Sequence, residues 1–307
     1  MIKSRYESLR RRVHATLAPL AARLLRQSGV IANPFLSAKF LPLARRRLHN
    51  DHTFVAVELD LSTKATNGLP IPPTELQEGW GANAAYLSSG QRDTETMLAI
   101  LQEARPERLD RILDFGCAAG RMLRFLPTPE TRECWGVDIK ATHIQWCQQH
   151  LSPPFFFATT TTFPHLPFED DTFDLVYCGS VFTHIAEMAD AWLLELRRIT
   201  RPYGLIYITI HDERSIEILL ERYPQRGISR LIEQVNRETG LADRPYVFFA
   251  TGIEPWTQMF YNSRLVVDRW RRFVDVVSVH PEAMDYQTAL LLRKRDRLAS
   301  PRDPVDR

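Results

Sequence analysis

A turn of small residues that begins at Gly116 is the part of the sequence best suited to hold a small ligand. Residues 111–121 read RILDFGCAAGR, an apolar run that contains Asp114 and leads into this turn. Small residues let the backbone approach a ligand closely, and turns after the strands of an open α/β sheet line its binding crevice. Peptide N–H groups of the turn can face a carboxylate, while Asp114 can balance an ammonium group. The pattern predicts a site for the amino-acid end of a ligand, and a turn used only for packing is the alternative.

The next apolar run also ends in a carboxylate. Residues 134–139 read CWGVDI, and Asp138 follows Gly120 by 18 residues. A carboxylate at the end of this strand can accept hydrogen bonds from both hydroxyls of a ribose, and it can also cap the helix that follows. The two roles are compatible in space. A nicotinamide dinucleotide is disfavoured, because its GxGxxG turn needs a glycine where this chain has Arg121.

Strand-like and helix-like segments alternate after residue 110, which predicts a parallel sheet with helices on both faces. A short connection containing Pro281 joins the last two strands and favours an antiparallel final pair. We therefore predict an α/β fold with a doubly wound, mostly parallel sheet of seven strands. Residues 211–271 are longer than one crossover helix and are predicted to form an insertion that acts as a substrate lid. The predicted strands are 111–115, 134–137, 155–158, 173–178, 205–210, 273–279 and 288–292, the predicted helices are 120–126, 142–151 and 188–200, and a turn is predicted at 201–204.

Four segments between about residues 86 and 210 occur in an order that resembles the class I S-adenosylmethionine-dependent methyltransferase family. They are DFGCAAGR, WGVDIK, LPFEDDTFDLVYCGSVFTHI and RPYGLIYIT. The resemblance is weaker toward the end of the chain. It implies a Rossmann-like methyltransferase fold, S-adenosylmethionine as cofactor, and methyl transfer as the reaction.

The resemblance also implies a set of cofactor contacts. The methionine end would lie on the turn after the first strand, and the ribose and adenine edge would lie after the second. Relatives often place an acidic residue beside the adenine, but this chain has Thr162 and Phe163 there. Ala118 replaces the usual middle glycine, and we expect a negative φ at this alanine. The expected contacts are Tyr86, Asp114, Gly116, Cys117, Ala118, Gly120, Arg121 at the start of the following helix, Asp138, Ile139, Thr162, Phe163 and Cys178.

Two histidines follow the fourth and fifth predicted strands, where the sheet should open. Methyl transfer from a sulfonium is an in-line displacement, so the protein mainly aligns donor and acceptor. A hydroxyl acceptor must also lose a proton, and a histidine with a pKa near 6.5 can take it. His184 and His211 are therefore the candidate catalytic residues, and a role in organising the adjacent turn is the alternative for His184. Trp256 and Tyr261 are candidates to line the acceptor pocket, whereas His143, His150 and His165 are expected to be structural or exposed.

The positive charge of the chain is concentrated in its first 50 residues. Eleven Lys and Arg against Glu7 alone give this segment a charge of +10, so a total of +2 leaves −8 for the other 257 residues. Apolar residues from Tyr6 to Leu24 recur at spacings of three and four, which predicts an amphipathic helix. A solvated face, a membrane surface and a nucleic acid remain alternatives for this arm. A nucleic-acid substrate is disfavoured, since the acidic remainder has no basic stripe interleaved with aromatic residues.

The sequence suggests four parts: a basic arm at 1–50, a linker or cap at 51–85, the methyltransferase domain at 86–295, and a tail at 296–307. The four cysteines lack metal-site spacing, so no metal is expected. No apolar stretch is long enough for a membrane span and no signal peptide is evident, which favours a bacterial cytoplasmic protein. In the membrane alternative for the arm, residues 1–47 contact the inner face of the membrane.

The expected acceptor is a small molecule, a sugar or a lipid-linked glycan, methylated on oxygen. A non-catalytic module that keeps the cofactor fold and docks through the arm is the main alternative. A nucleic-acid or protein methyltransferase is the third hypothesis, and the lack of an Asn/Asp-Pro-Pro-Tyr motif argues against methylation of a base.

Overall fold

The computed structural model describes residues 39–40, 55–56, 68–78, 83–127, 132–185, 188–240, 248–251 and 257–296. The amphipathic helix predicted in the arm, most of the 51–85 linker, Trp256 and nearly all of the tail lie outside these ranges. The proposed boundaries of the four parts therefore remain predictions.

A single sheet organises the described part of the chain. Its central strands β5, β4, β3, β6 and β7 are parallel, and β11 runs antiparallel between β7 and β10. These seven strands confirm the predicted doubly wound, mostly parallel architecture. Two short strands, β1 and β2, extend the β5 edge, and β8 pairs with β9 in a separate hairpin. The strands are β1 Lys39–Phe40, β2 Val55–Ala56, β3 Arg111–Phe115, β4 Glu133–Asp138, β5 Phe155–Thr159, β6 Phe173–Cys178, β7 Thr200–Ile210, β8 Phe248–Thr251, β9 Gln258–Tyr261, β10 Asp275–Met284 and β11 Gln287–Arg293.

Helices cover both faces of the sheet. Neighbouring residues of a strand point to opposite faces, so apolar side chains from one strand pack under helices on both sides. Ile112 packs in the core on one face with α1 and α2, whereas Leu113 packs on the other face with α3 and α6. No helix within the described ranges has the length and apolarity needed to cross a membrane. The helices are α1 Ala84–Glu103, α2 Ala141–His150, α3 Ala189–Ile199, α4 Glu213–Arg222, α5 Gly227–Thr239 and α6 Ser263–Trp270.

Three local predictions were wrong. Residues 120–126 form turns and the short 3-10 helix Leu123–Phe125 instead of an α-helix, because Gly120 has a φ of 73° and Pro127 follows closely. The turn expected at 201–204 belongs to β7, where Tyr203 has a φ of 63° and bends the strand locally. Pro281 lies inside β10, which tolerates it because an edge strand leaves one side of its backbone unpaired.

Candidate functional site

The sheet reverses its winding at β3. The chain runs from β3 outward to β4 and β5, then returns to the other side of β3 with β6 and β7. Ligands of open α/β sheets bind outside the carboxyl ends of the strands at such a reversal. The turn after β3 and the acidic end of β4 therefore share one crevice, as the sequence predicts.

Asp138 joins these two parts of the crevice directly. Its Oδ2 accepts a hydrogen bond from the Ala118 amide at 2.8 Å, and its Oδ1 accepts one from the Lys140 amide at 2.8 Å. Helix α2 begins after Lys140, so Asp138 does not cap it by a side-chain bond. Burial raises the pKa of Asp138, and the two amides oppose that rise. The carboxylate is fixed in direction, and each oxygen keeps a lone pair for a further donor.

The turn after β3 uses left-handed backbone at three positions. Gly116, Ala118 and Gly120 have φ values of 81°, 44° and 73°. The expectation of a negative φ at Ala118 was wrong. An alanine is strained there, and the bond from its amide to Asp138 helps to hold it in place.

More of the backbone amides of this turn donate hydrogen bonds to protein atoms than expected from the sequence. The Gly116 and Cys117 amides both donate to the Val137 carbonyl, at 2.8 and 3.1 Å, and the Gly120 amide donates to the Cys117 carbonyl. These bonds fasten the turn to β4. The prediction that the turn presents these N–H groups to a ligand carboxylate was therefore wrong for Gly116, Cys117, Ala118 and Gly120.

Asp114 is a buried acid in β3. Its side chain is nearly inaccessible, and burial raises its pKa to about 7 although the Tyr177 hydroxyl and the Arg121 guanidinium favour the charged form. A buried carboxyl in this condition gains much from a cationic partner. An ammonium group in the crevice is a suitable one.

Helix α1 holds the turn from the outside. The Tyr86 hydroxyl donates to the Ala119 carbonyl at 3.3 Å, and Gly90 packs so closely on Arg121 that a Cβ would lie 2.3 Å from its carbonyl oxygen. Arg121 Nη1 donates to Asp93 Oδ2 at 2.7 Å in a buried ion pair. Arg121 thus ties the turn to α1 and does not open a helix, while contacts of Tyr86 and Arg121 with a ligand remain predictions.

The residues expected near the adenine divide into two groups. Ile139 is 40% exposed and Phe163 is 73% exposed, after the carboxyl ends of neighbouring strands β4 and β5. Thr162 is also exposed. Exposed apolar side chains at adjacent strand ends suit a flat apolar ring. Cys178 is instead fully buried in the core, and its thiol lies 3.7 Å from the Tyr207 carbonyl. A contact of Cys178 with the cofactor remains a prediction.

The two candidate catalytic histidines both lie next to strand β9. His184 is exposed, and its Nδ1 lies 2.8 Å from the Thr257 carbonyl. His211 is 1% exposed, and its ring packs against Phe260 and Tyr286 at centroid distances of 5.0 and 5.4 Å. The sequence-based expectation that His211 opens to the crevice with an ordinary pKa was wrong, because burial lowers its pKa to about 3.

Hydrogen bonds from the hairpin β8–β9 fix this insertion at the carboxyl ends of β6 and β7. The Met259 amide donates to the Thr183 carbonyl and the Tyr261 amide donates to the His211 carbonyl, both at 2.8 Å. The Tyr261 hydroxyl donates to the Phe182 carbonyl at 3.1 Å and is buried. Tyr261 thus anchors the insertion, and its contact with an acceptor remains a prediction.

A polar network beside the crevice was not found from the sequence. Thr209 accepts a hydrogen bond from the Ser180 amide and donates to Gln287 Oε1, both at 2.7 Å, and Gln287 Nε2 donates back to Ser180 Oγ at 2.9 Å. Thr209 and Gln287 are buried, and Ser180 is held at a φ of 61°. The three residues lie on β7, on β11 and after β6, so only the fold brings them together.

Residues 113–208 match a protein family model described as a methyltransferase domain. The match begins in β3 and ends in β7, so it contains the turn, Asp114 and Asp138. This part of the chain is a methyltransferase domain, and it supports a class I S-adenosylmethionine-dependent methyltransferase. The segments that carry the sequence resemblance and the segment that matches the family model are the same part of the chain.

Individual relatives of this methyltransferase are distant. The chloroplastic tocopherol O-methyltransferase of Arabidopsis thaliana is 25% identical over 122 residues, which are 38% of this chain and 34% of the relative. The match therefore spans about a third of that curated relative. The PH0226 protein from Pyrococcus horikoshii OT3 is 19% identical with a TM-score of 0.49, and the alignment covers 69% of this chain and 92% of that structure. A SAM-dependent methyltransferase from Aquifex aeolicus is 15% identical with a TM-score of 0.44, and the coverages are 69% and 94%.

The cofactor of this methyltransferase is S-adenosylmethionine, and the crevice suits its parts. Asp114 offers a buried carboxyl to the ammonium group, and Asp138 has free lone pairs for ribose hydroxyls. Ile139 and Phe163 offer apolar surface for the adenine. When bound, the cofactor supplies an electrophilic methyl group on a sulfonium.

We expect binding of S-adenosylhomocysteine, the demethylated product, to weaken as the pH falls below about 7. Asp114 has a pKa of about 7 without a ligand, so at lower pH it must lose a proton before it can pair with the ligand ammonium. Affinity should fall roughly tenfold for each pH unit below that value. Titration calorimetry between pH 5.5 and pH 8 measures this, and Asp114→Asn should remove the slope. A pH-independent affinity in the wild-type chain would contradict the assignment of Asp114.

Proposed function

We propose that this methyltransferase transfers the methyl group to an oxygen atom of a small-molecule acceptor. The observation that supports this best is the position of His184. Its exposed side chain follows the carboxyl end of β6 and contacts Thr257, the residue before β9. Sugars and lipid-linked glycans are the acceptor classes to test first. The O-methyltransferase activity named for the Arabidopsis relative is consistent with an oxygen acceptor.

The hydrogen bond of His184 supports a role as general base. Because the Thr257 carbonyl can only accept, the 2.8 Å contact places the ring proton on Nδ1. Nε2 then has a free lone pair. In the proposed step the acceptor oxygen bonds to the methyl carbon, the carbon–sulfur bond breaks with its electrons on sulfur, and the acceptor proton passes to Nε2.

His211 has a different role in this proposal. With a pKa of about 3 its ring stays neutral at physiological pH, so it does not hold the acceptor proton. Its ring packs between two aromatic rings and connects β9 with the turn before β11. We assign it to shaping the acceptor side of the crevice.

Substitution of His184 by alanine tests the proposal. We expect turnover to fall by roughly 100-fold or more, as for loss of a general base, with unchanged affinity for S-adenosylhomocysteine. The assay follows transfer of radiolabelled methyl from S-adenosylmethionine into sugar, phenolic and lipid-linked fractions of a cell extract. His150→Ala, an exposed histidine at the end of α2, is the control. Full turnover of the His184→Ala chain would refute the role of this histidine.

A non-catalytic docking module is the second candidate function. The feature that favours it is the charge of +10 in residues 1–50, which suits a membrane surface with anionic lipids. We propose that residues 1–47, which lie mostly outside the described ranges, make this peripheral contact in either case. Binding of S-adenosylhomocysteine without methyl transfer to any fraction would favour the docking module over the enzyme.

A further inference from the structure

Residues 68–78 form a strap that precedes α1 and lies outside the segment matched by the family model. Leu69 and Leu76 pack against the core on the α1 and α2 face of the sheet. The Pro70 carbonyl accepts a hydrogen bond of 2.5 Å from Arg124 Nη2, just after the turn that follows β3. The strap is therefore packed on the cofactor domain and reaches the crevice from its β4 side.

Glu78 at the end of the strap contacts the segment that follows Asp138. Its two carboxylate oxygens lie 2.5 and 2.6 Å from Lys140 Nζ, and Oε1 lies 3.2 Å from Nε2 of the buried His143. Hydrogen bonds from these two residues lower the pKa of Glu78 to about 2. The ammonium group of Lys140 is therefore occupied by Glu78 at neutral pH.

Lys140 is placed between two carboxylates. Its backbone amide donates to Asp138 Oδ1, and its charge acts on Asp138 because it favours the ionised form of that acid. A flexible lysine side chain without another partner will pair with the nearest carboxylate. Asp138 is a carboxylate within reach of the Lys140 charge, and its remaining lone pairs are needed by the ribose.

We propose that Glu78 is a positioning residue of the cofactor site: it holds the Lys140 ammonium away from Asp138 and so keeps the ribose-binding carboxylate free. The strap is in this way a functional part of the cofactor site. The Glu78–Lys140 pair is almost half exposed, with 43% and 44% of the side chains accessible, so it contributes little to folding stability. Its loss should be visible in binding and nearly invisible in unfolding.

The experiment compares Glu78→Gln with a second substitution that removes the competing charge. We expect Glu78→Gln to raise the dissociation constant for S-adenosylhomocysteine roughly tenfold, because the freed ammonium competes with the ribose hydroxyls. Adding Lys140→Met to that variant should recover at least half of the loss on a logarithmic scale. Glu75→Gln, an exposed residue of the same strap, is the matched control and should bind as the wild type does.

Titration calorimetry gives the dissociation constants, and the melting temperature of each chain without ligand shows that folding is unchanged. Wild-type affinity in Glu78→Gln would overturn the proposal. So would a double variant that binds no better than Glu78→Gln, since a purely structural strap predicts no recovery.

Discussion

Replacing Gly116 by alanine should both destabilise the chain and strongly weaken its binding of S-adenosylhomocysteine. Gly116 has a φ of 81°, and a Cβ on it would lie 2.3 Å from Cγ2 of Val181. The left-handed backbone and the forced displacement together should lower the free energy of unfolding by roughly 2–4 kcal/mol. Because the displaced turn carries Ala118, whose amide orients Asp138, the dissociation constant should also rise by at least about 100-fold.

Gly240→Ala is the matched control for this prediction. Gly240 ends α5 with a φ of 62°, and nothing lies within 4 Å of an added Cβ. It should therefore lose about 1 kcal/mol of stability from backbone strain alone and bind normally. Urea unfolding gives the stabilities and calorimetry gives the affinities. If Gly116→Ala binds the ligand as Gly240→Ala does, the turn is not part of the cofactor site.

The second large effect is expected from Asp138→Ala. Removing a carboxylate that accepts two ribose hydroxyls should weaken binding by roughly 100-fold to 10,000-fold, since hydrogen bonds to a charged group contribute about 1.5–3 kcal/mol each. The loss of ligand-induced stabilisation in a melting experiment measures the same effect. Asp268→Ala, which removes an exposed acid on α6, should leave the ligand-induced shift unchanged.

Asp138→Ala also leaves the Ala118 and Lys140 amides without their acceptor, so some stability is lost without any ligand. The comparison must therefore use the difference in melting temperature with and without ligand, for each variant separately. An undiminished shift in Asp138→Ala would show that the ribose is held elsewhere.

The sequence predicted the sheet well because its signals are local. Each parallel strand is a short apolar run, and β3 and β6 have the predicted bounds of 111–115 and 173–178. The convergence of Asp114 and Asp138 also follows from sequence, since both lie in adjacent parallel strands at the reversal of winding. An acidic residue at or near the carboxyl end of each of two successive apolar strands is enough to predict that the two side chains share one crevice.

The failures concern features that depend on distant residues. The burial of His211 results from the return of the insertion, because Phe260 pairs with His211 through β9 some 49 positions later in the chain. The contact of Glu78 with Lys140 spans 62 positions. The backbone of Ala118 is set by its bond to Asp138, 20 positions away, so residue type alone did not reveal its positive φ.

The central claim is that S-adenosylmethionine lies across the crevice, with its ammonium at Asp114 and its ribose at Asp138. Titration of S-adenosylhomocysteine into the full chain at pH 8 tests this most directly. We predict saturable binding of a single molecule per chain and a higher melting temperature in its presence. A folded chain that shows neither heat of binding nor a shift at saturating ligand would contradict the claim.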